Sequence, residues 1–501
     1  MLKRKSLSNN KLLNTSQKGQ TMRFMQHIPS SIKTMMTLSK ASLKCTIVTV
    51  CQALTWIIPR QHKAVCGCYK NKFADNSKYL YLHWLQQKNI KAIWISGDKQ
   101  LIRELNQQGL TAYYRWSLLG VFHSVTAKYY VYNSYIGDVN QYLANGAVKI
   151  NLWHGSPLKR IEHDINNGPL NHVFKPRNWQ QHLIASGLYH QQHTRPDLML
   201  APSPLVEALF SSAFEINADN FLRCGNPRTD FFQRYSHLKN KQQMPETLKS
   251  IIDAGTAASA VKQPQLVLYA PSWRDSLLDG NGSNPYLAAI DFKQLNLALK
   301  QNNQLMLLRL HPNEQHLAAD FGHHDHIIDI SHWQDIYAIL NDIDVLISDY
   351  SSIFIDALAS DAHCCSAEVD DSQVEFVNKR KTAIALFKFD EQMFTQDCRS
   401  QYDYVASMPA VGPTLTDFAA LTEYLAHVAK ANSEEEQLLN KKLQAELTQM
   451  FWQHGNISSF EAIDNWLAKQ QGQAPSSETP PNSRSRYRSK GKRAKWWQIY
   501  G

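Results

Sequence analysis

Between residues 63 and 467 short apolar runs recur at 92–95, 128–132, 148–153, 266–270, 305–310 and 345–347, with helix-like stretches between them. Continuous rather than alternating apolarity marks strands buried on both faces, and strands separated by helices mark parallel sheets. The fold class that follows is α/β. A polar stretch without apolar periodicity, 237–264, splits the runs into two sets. The expected organisation is a basic N-terminal segment over 1–62, an α/β domain over 63–240, a second over 262–469, and a linker with a tail over 470–501. Two Rossmann-like domains facing a cleft bring the loops at their strand C-termini into that cleft, where such sheets bind ligands.

Charge is divided along the chain in a similar way. Residues 1–74 hold 13 Lys and Arg without an acid, and residues 479–501 hold seven, again without an acid. The remainder has 33 basic and 43 acidic residues, so the formal charge of +10 belongs to the ends. Basic ends on an acidic body predict attraction to a polyanionic surface rather than a basic active cleft.

Within the first end, Leu43, Ile47, Val50, Cys51, Leu54, Ile57 and Ile58 recur at helical intervals before Pro59, which predicts an amphipathic helix over 43–58. The 14 residues from Cys45 to Ile58 fall short of the ~20 that a membrane span needs. Their position after more than forty polar and basic residues is also unlike a secretory leader. At the other end, seven cations from Arg484 to Lys495 stand next to Trp496, Trp497 and Tyr500, a composition suited to an anionic leaflet. A solvated tail is the alternative, and the acidic body gives no support to a specific nucleic acid partner. The expected partner is an anionic membrane surface, met peripherally at the cytoplasmic face. Of eight cysteines only Cys66 with Cys68 and Cys364 with Cys365 are close, and neither pair has zinc-ligand spacing, so reduced thiols and no metal centre are expected.

Four strand exits carry chemistry. The run 148–153 leads into His154, Gly155 and Lys159; 266–270 into Ser272, Trp273, Arg274 and Asp275; 305–310 holds Arg309 and leads into His311 and Pro312; and 345–347 opens into Asp349, Tyr350, Ser351 and Ser352. Histidine, arginine and paired serines at such exits suit a phosphate-handling site. Ser351 and Ser352 stand where a helix begins, so hydroxyls, first-turn N–H groups and the helix dipole can hold a phosphate, or the serines can simply cap the helix. Arg274 can fork onto a diphosphate or pair with Asp275. His323, His324, Asp325 and His326 read as a solvated turn rather than a metal site.

Taken together, WHGSPLK at 153–159 with Asp164 beyond, CGNPRTD at 224–230, YAPSWRD at 269–275, RLHP at 309–312 and DIYAILNDIDVLISDYSSIFIDAL at 335–358 resemble the CDP-glycerol glycerophosphotransferases of teichoic-acid and capsule synthesis. The similarity covers residues 64 to 467, with a weaker match at Asp75-Asn76-Ser77-Lys78. The resemblance implies a GT-B-like pair of domains, the acceptor on the N-terminal side and the CDP-activated donor on the C-terminal side. It implies His154 as the general base that takes the acceptor's proton, and His311 as the group that stabilises the pyrophosphate and departing CMP. Arg274, Ser351 and Ser352 would bind the diphosphate, and Asp349 or Asp356 would orient them or meet the polyol. Gly155, Lys159, Asp164, Arg228, Ser272 and Arg309 complete the substrate-binding set. No cofactor is implied beyond a CDP-polyol substrate, and the acceptor would be a lipid-linked or polymeric polyol phosphate. The chain departs from the family pattern after Ala359 and at His454-Gly455-Asn456 with Ser459-Phe460, which leaves CDP-glycerol and CDP-ribitol both open as donors. An NDP-sugar glycosyltransferase and a non-catalytic polymer-binding homologue are the competing readings.

Overall fold

The computed structural model describes residues 29–168, 170–234, 263–274, 284–311, 313–333, 335–359, 382–397, 400–430 and 434–472. The C-terminal basic-aromatic tail, the basic stretch 1–28, most of the polar boundary 237–264 and most of the atypical segment after Ala359 lie outside the described residues.

In the first domain β1 (Gln61–Cys66), β2 (Lys91–Ser96), β3 (Ala112–Tyr114), β4 (Ala127–Tyr132), β5 (Val148–Asn151), β6 (Leu198–Leu200) and β7 (Phe221–Leu222) form a sheet ordered β3-β2-β1-β4-β5-β6-β7. In the second, β8 (Gln265–Tyr269), β9 (Gln304–Leu308), β10 (Ile327–Asp329), β11 (Val345–Ser348), β12 (Ala383–Phe387) and β13 (Thr414–Leu415) are ordered β10-β9-β8-β11-β12-β13. Every paired strand is parallel, with Val65 opposite Ile93 and Tyr130 in the first sheet and Tyr269 opposite Leu308 and Ile347 in the second. Helices cover both faces, so Ala64, Val65 and Cys66 of β1 are buried without alternation, as are Leu305, Met306 and Leu307 of β9. The order reverses between β1 and β4 and again between β8 and β11. Those two points open the crevices in which a doubly wound sheet receives ligands.

The domains share their core. Leu447, Phe451 and Trp452, from the helix Glu434–Trp452, are buried in one cluster with Met199 and Phe210 of the first domain and Leu268 and Leu346 of the second. The last helix, Ser459–Lys469, crosses back and buries Phe460, Ile463 and Leu467 in the first core, where Ser459 donates from its N–H and hydroxyl to Asp230. The second domain, expected to run to 469, therefore gives up its final helix to the first: the apolar face of that helix matches the first sheet's covering layer. The atypical stretch at 454–460 belongs to the same crossing, with His454 N–H on the Pro202 carbonyl and Gly225 N–H on that of Ile457.

The N-terminal helix is longer than expected, Ser30–Trp56, and its main apolar row is not the face it buries. Ala41, Val48 and Thr55 face the body, and Ala41 backbone lies so near Gly187 of the helix Trp179–Leu188 that a Cβ there would come within 2.2 Å of the Ala41 carbonyl oxygen. Lys44 Nζ donates to the Leu188 carbonyl at 3.0 Å. Leu43, Ile47, Val50, Leu54 and Ile57 are exposed. Among the described residues no helix is long and apolar enough to cross a membrane.

Candidate active site

Both reversal points open into one cleft, and the motif loops meet there. Gly155, one residue beyond His154, has φ +144°, and a Cβ on it would come within 2.9 Å of Ser352 Oγ and 3.5 Å of Arg228 Nη2. Its lack of a side chain lets the loop after β5 abut the loop after β11 across the domain boundary.

His154 is aimed by the turn that follows β5. Trp153 takes a left-handed φ of 49°, its N–H bonds to Asn151 Oδ1 at 2.9 Å, and its carbonyl accepts from Asn76 Nδ2 at 2.9 Å. The exposed imidazole directs Nδ1 at the Asn133 carbonyl, 2.8 Å away. A carbonyl only accepts, so Nδ1 carries the proton and Nε2 presents a lone pair. Asn133 is fixed in turn: Asp138 Oδ2 accepts from the N–H groups of Asn133 and Ser134 at 3.1 and 2.9 Å.

His311, beyond β9, is held the other way round. The backbone N–H of Asn313 donates to its Nδ1 at 3.2 Å, so its proton sits on Nε2. Trp273 lies parallel to the ring, with centroids 5.5 Å apart and planes at 10°. Burial, followed by the nearby charges of Lys70, Lys72, His154 and Arg309, pulls its pKa down to about 3. At neutral pH His311 is an uncharged N–H donor.

Arg274, expected to grip a diphosphate, and Arg228, expected to bind substrate, are both turned inward. Arg274 is wholly buried; it donates from Nη1 to Asp349 at 2.6 Å and from Nε and Nη2 to Asp390 at 2.9 and 3.1 Å. Burial alone would lower its pKa, but the Asp349 carboxylate more than offsets this and carries it above the usual range. Asp349 also accepts the N–H of Ser272 at 2.7 Å, so this pair fixes the shape of both loops at the second reversal point. Arg228 is likewise buried, bonding Asp75 at 2.8 Å and both oxygens of Asp356 at 2.9 and 2.7 Å, with the Tyr337 ring 4.4 Å from its guanidinium carbon. Arg228 and Asp356 thus form an interdomain latch under Gly155. Asp164 joins the same seam lower down, accepting from Tyr402 at 2.6 Å and Ser212 at 2.5 Å, and Lys159 Nζ stands 4.2 Å over the Phe394 ring.

Ser351 and Ser352 are half-buried at the mouth. The helix they precede, Ile353–Ala357, has five residues, so the dipole assistance expected of it is small, and Ser351 Oγ accepts the Ile353 N–H at 3.4 Å. Arg309, largely buried beside the cleft, donates to the Trp333 carbonyl at 3.1 Å. The histidines before β10 serve the turn, His324 on the Phe321 carbonyl and His326 on that of Gln304. Among the described residues no group of three His, Cys, Asp or Glu side chains is placed to hold a metal ion.

Sequence reasoning passed over Asn133, Asp138, Asp390, Lys70 and Lys72. It also assigned the cations of 1–74 to an external surface, whereas Lys70 and Lys72 belong to the loop after β1 and stand near His311. Positive charge from the first domain therefore acts on His311 within the cleft.

Facing doubly wound sheets with their chemistry on opposed strand exits define a GT-B-like transferase. Residues 51–361 match the CDP-Glycerol:Poly(glycerophosphate) glycerophosphotransferase family, and the chain belongs to that family. It is 27% identical over 287 residues to the teichoic acid glycerol-phosphate transferase of Staphylococcus aureus, a match spanning 57% of this chain and 68% of that one. With the teichoic acid poly(glycerol phosphate) polymerase of Bacillus spizizenii it shares 26% over 329 residues, 63% of this chain and 76% of the other. A solved structure of the wall teichoic acid polymerase TagF superposes with a TM-score of 0.62 at 19% identity, over 88% of this chain and 97% of that one. That likeness establishes the GT-B-like fold.

Proposed function

We propose that this chain transfers glycerol phosphate, or a related polyol phosphate, from a CDP-activated donor to a hydroxyl of a growing cell-surface polymer or lipid-linked primer, releasing CMP. The acceptor oxygen bonds to the donor's β-phosphorus while the bond from that phosphorus to the bridging oxygen breaks. The electron pair leaves with CMP, and the hydroxyl proton passes to Nε2 of His154. His311 donates its Nε2–H to the diphosphate oxygens on which charge builds as CMP departs. Ser351 and Ser352 offer hydroxyls to the same group, and no cofactor enters the scheme.

The observation that carries this reading is the pair of opposed tautomers, one imidazole offering a lone pair and the other an N–H from facing strand exits. Phosphoryl transfer depends on positioning and charge stabilisation, and a positioned base is worth ~10²–10⁴ in rate. The test is CMP release by purified protein from CDP-glycerol and then CDP-ribitol, with a membrane fraction as acceptor. Release from one donor, lost in His154→Ala and His311→Ala, fits the proposal. A nucleoside diphosphate formed from an NDP-sugar would instead identify a glycosyltransferase, and no turnover with any donor would favour a binding homologue.

The same reading places the protein peripherally at the cytoplasmic membrane face, against anionic lipid. Its support is the exposed row Leu43, Ile47, Val50, Leu54 and Ile57 on a helix that also exposes Lys33 and Lys40 and holds no acid.

A further inference from the structure

Most cations around the cleft are neutralised. Arg228 is balanced by Asp75 and Asp356, Arg274 by Asp349 and Asp390, and Lys78 by Asp335 at 2.8 Å. Lys70, Lys72 and Arg309 differ: among the described residues none of them forms an ion pair with a carboxylate. All three lie near enough to His311 for their charges to act on it. Lys72 is half-buried, and Lys70 reaches across the cleft to hydrogen-bond Asn313 Oδ1, two residues beyond His311. Unbalanced positive charge held partly out of water is a site for an anion.

The loop that carries the two lysines is built to one shape. It leaves β1 at the first reversal point, and Lys70 and Asn71 both adopt left-handed backbone, φ 53° and 60°. Consecutive non-glycine residues persist there only when their surroundings enforce it. Asn71 supplies the enforcement, its Oδ1 accepting from Gly97 N–H at 2.9 Å and Arg115 Nη2 at 3.1 Å, and its carbonyl from Ser96 Oγ at 3.0 Å. The strained turn points Lys70 over the boundary to the donor-side loop.

We propose that Lys70 and Lys72 of the first domain bind the transferred β-phosphate of the nucleotide donor, so that the donor's diphosphate is gripped from both domains. The inference rests on the proposed CDP-polyol reading and deepens it. A phosphodiester of the acceptor has the same chemistry. The donor is favoured because the cluster centres on His311 and Arg309, which the second domain's β9 delivers. Lys70 and Lys72 offset charge that the buried Arg274 and Arg228 cannot reach, and the phosphate-binding site is complete only with the two domains together.

The test is equilibrium binding of CDP and of CMP to the full-length protein by calorimetry, in the parent, Lys72→Met, Lys70→Met and Lys72→Arg, alongside KM for donor and acceptor. CDP carries the β-phosphate and CMP lacks it. Lys72→Met is expected to weaken CDP by roughly 10- to 100-fold, the range of one charged hydrogen bond, with CMP within about twofold. Lys70→Met acts in the same direction, and Lys72→Arg keeps most of the preference. Retained CMP binding shows that the variants are folded. An unchanged CDP-to-CMP ratio in Lys72→Met overturns the inference, and a raised acceptor KM beside that unchanged ratio assigns the lysines to the acceptor instead. A parent that binds neither nucleotide removes the CDP-polyol reading itself, a separate failure that takes this inference with it.

Discussion

Arg228 of the first domain and Asp356 of the second are in direct contact, both carboxylate oxygens lying within 2.9 Å of Nη2. The guanidinium is fully buried and is further engaged by Asp75 and by the face of Tyr337. Burial works against its charge, yet Asp356, Tyr337 and Asp75 carry its pKa well above the usual range, so the pair stays ionised. Removing one partner leaves an uncompensated buried charge, which costs about 3–5 kcal/mol. Arg228→Met is expected to lower the unfolding midpoint in a denaturant titration by a corresponding amount. Arg228→Lys, which keeps the charge but loses the fork, should fall between. A midpoint unchanged in Arg228→Met would show that the latch does not hold the domains.

Glutamine distinguishes the roles of the two histidines. Its amide can still donate a hydrogen bond but cannot accept a proton at neutral pH. His311→Gln should retain measurable CMP release, above His311→Ala, whereas His154→Gln and His154→Ala should both lose ~10²–10⁴ in rate. Equal residual rates in the two glutamine variants would refute the assignment.

The low pKa of His311 also makes a statement about stability. The unfolded chain protonates this imidazole near the ordinary 6.5 and the native one only near 3, so between those values the unfolded state binds the extra proton. The contribution of neutral His311 is complete above about pH 6.5 and is lost progressively as pH falls toward 3. His311→Gln should flatten that part of the stability curve, as read by denaturant titrations at several pH values.

How much of this was legible in the sequence depends on distance along the chain. Buried parallel strands announce themselves as continuous apolar runs, so β2, β4, β5, β8, β9 and β11 were readable, and with them the loops bearing His154 and His311. β1 begins Gln-His-Lys, and β6, β7 and β13 span three, two and two residues, too few to show a pattern. Arg228, Arg274, Asp349 and Asp356 were read as ligand contacts, and the structure shows the two arginines paired with carboxylates. An arginine at a strand exit looks alike whether it faces a phosphate or a carboxylate: Asp356 lies 128 residues from Arg228, and Asp390 lies 116 from Arg274. Lys70 and Lys72 merged into a basic N-terminal count, since nothing local marks a lysine that faces inward.

Gly155 joins the readable motif to the unreadable packing. An alanine there meets a left-sided φ of +144° and a Cβ position 2.9 Å from Ser352 Oγ, tighter than a carbon tolerates without movement. The Ser352 hydroxyl must then swing out of the place from which it would meet the diphosphate, and catalysis is sensitive to displacements of about 1 Å. Gly155→Ala is expected to lower kcat by ~10²-fold while the unfolding midpoint moves by no more than about 1–3 kcal/mol of stability. Parent-like kcat would mean that the loops do not depend on this contact.

The N-terminal helix raises the last question, because a row of aliphatic side chains in water costs free energy that a membrane interface would recover. Leu43, Ile47, Val50 and Leu54 repeat at four, three and four residues, on a face other than the one that Ala41, Val48 and Thr55 press onto the helix Trp179–Leu188. Each aliphatic side chain taken fully from water contributes ~1.5–3 kcal/mol, and each lysine near an anionic leaflet adds ~1 kcal/mol. Apolar burial survives added salt whereas the lysine term is screened within a Debye length of about 8–10 Å, so the two are separable. Co-sedimentation of the full-length protein with phosphatidylglycerol vesicles should weaken but persist at high salt. Ile47→Glu with Leu54→Glu should reduce it by at least ~10-fold at both salt concentrations, since both residues leave the interface and add negative charge. Neither side chain lines the cleft, so CDP binding should be unaffected. Vesicle binding that is indifferent to the two glutamates would place the membrane contact elsewhere on the chain.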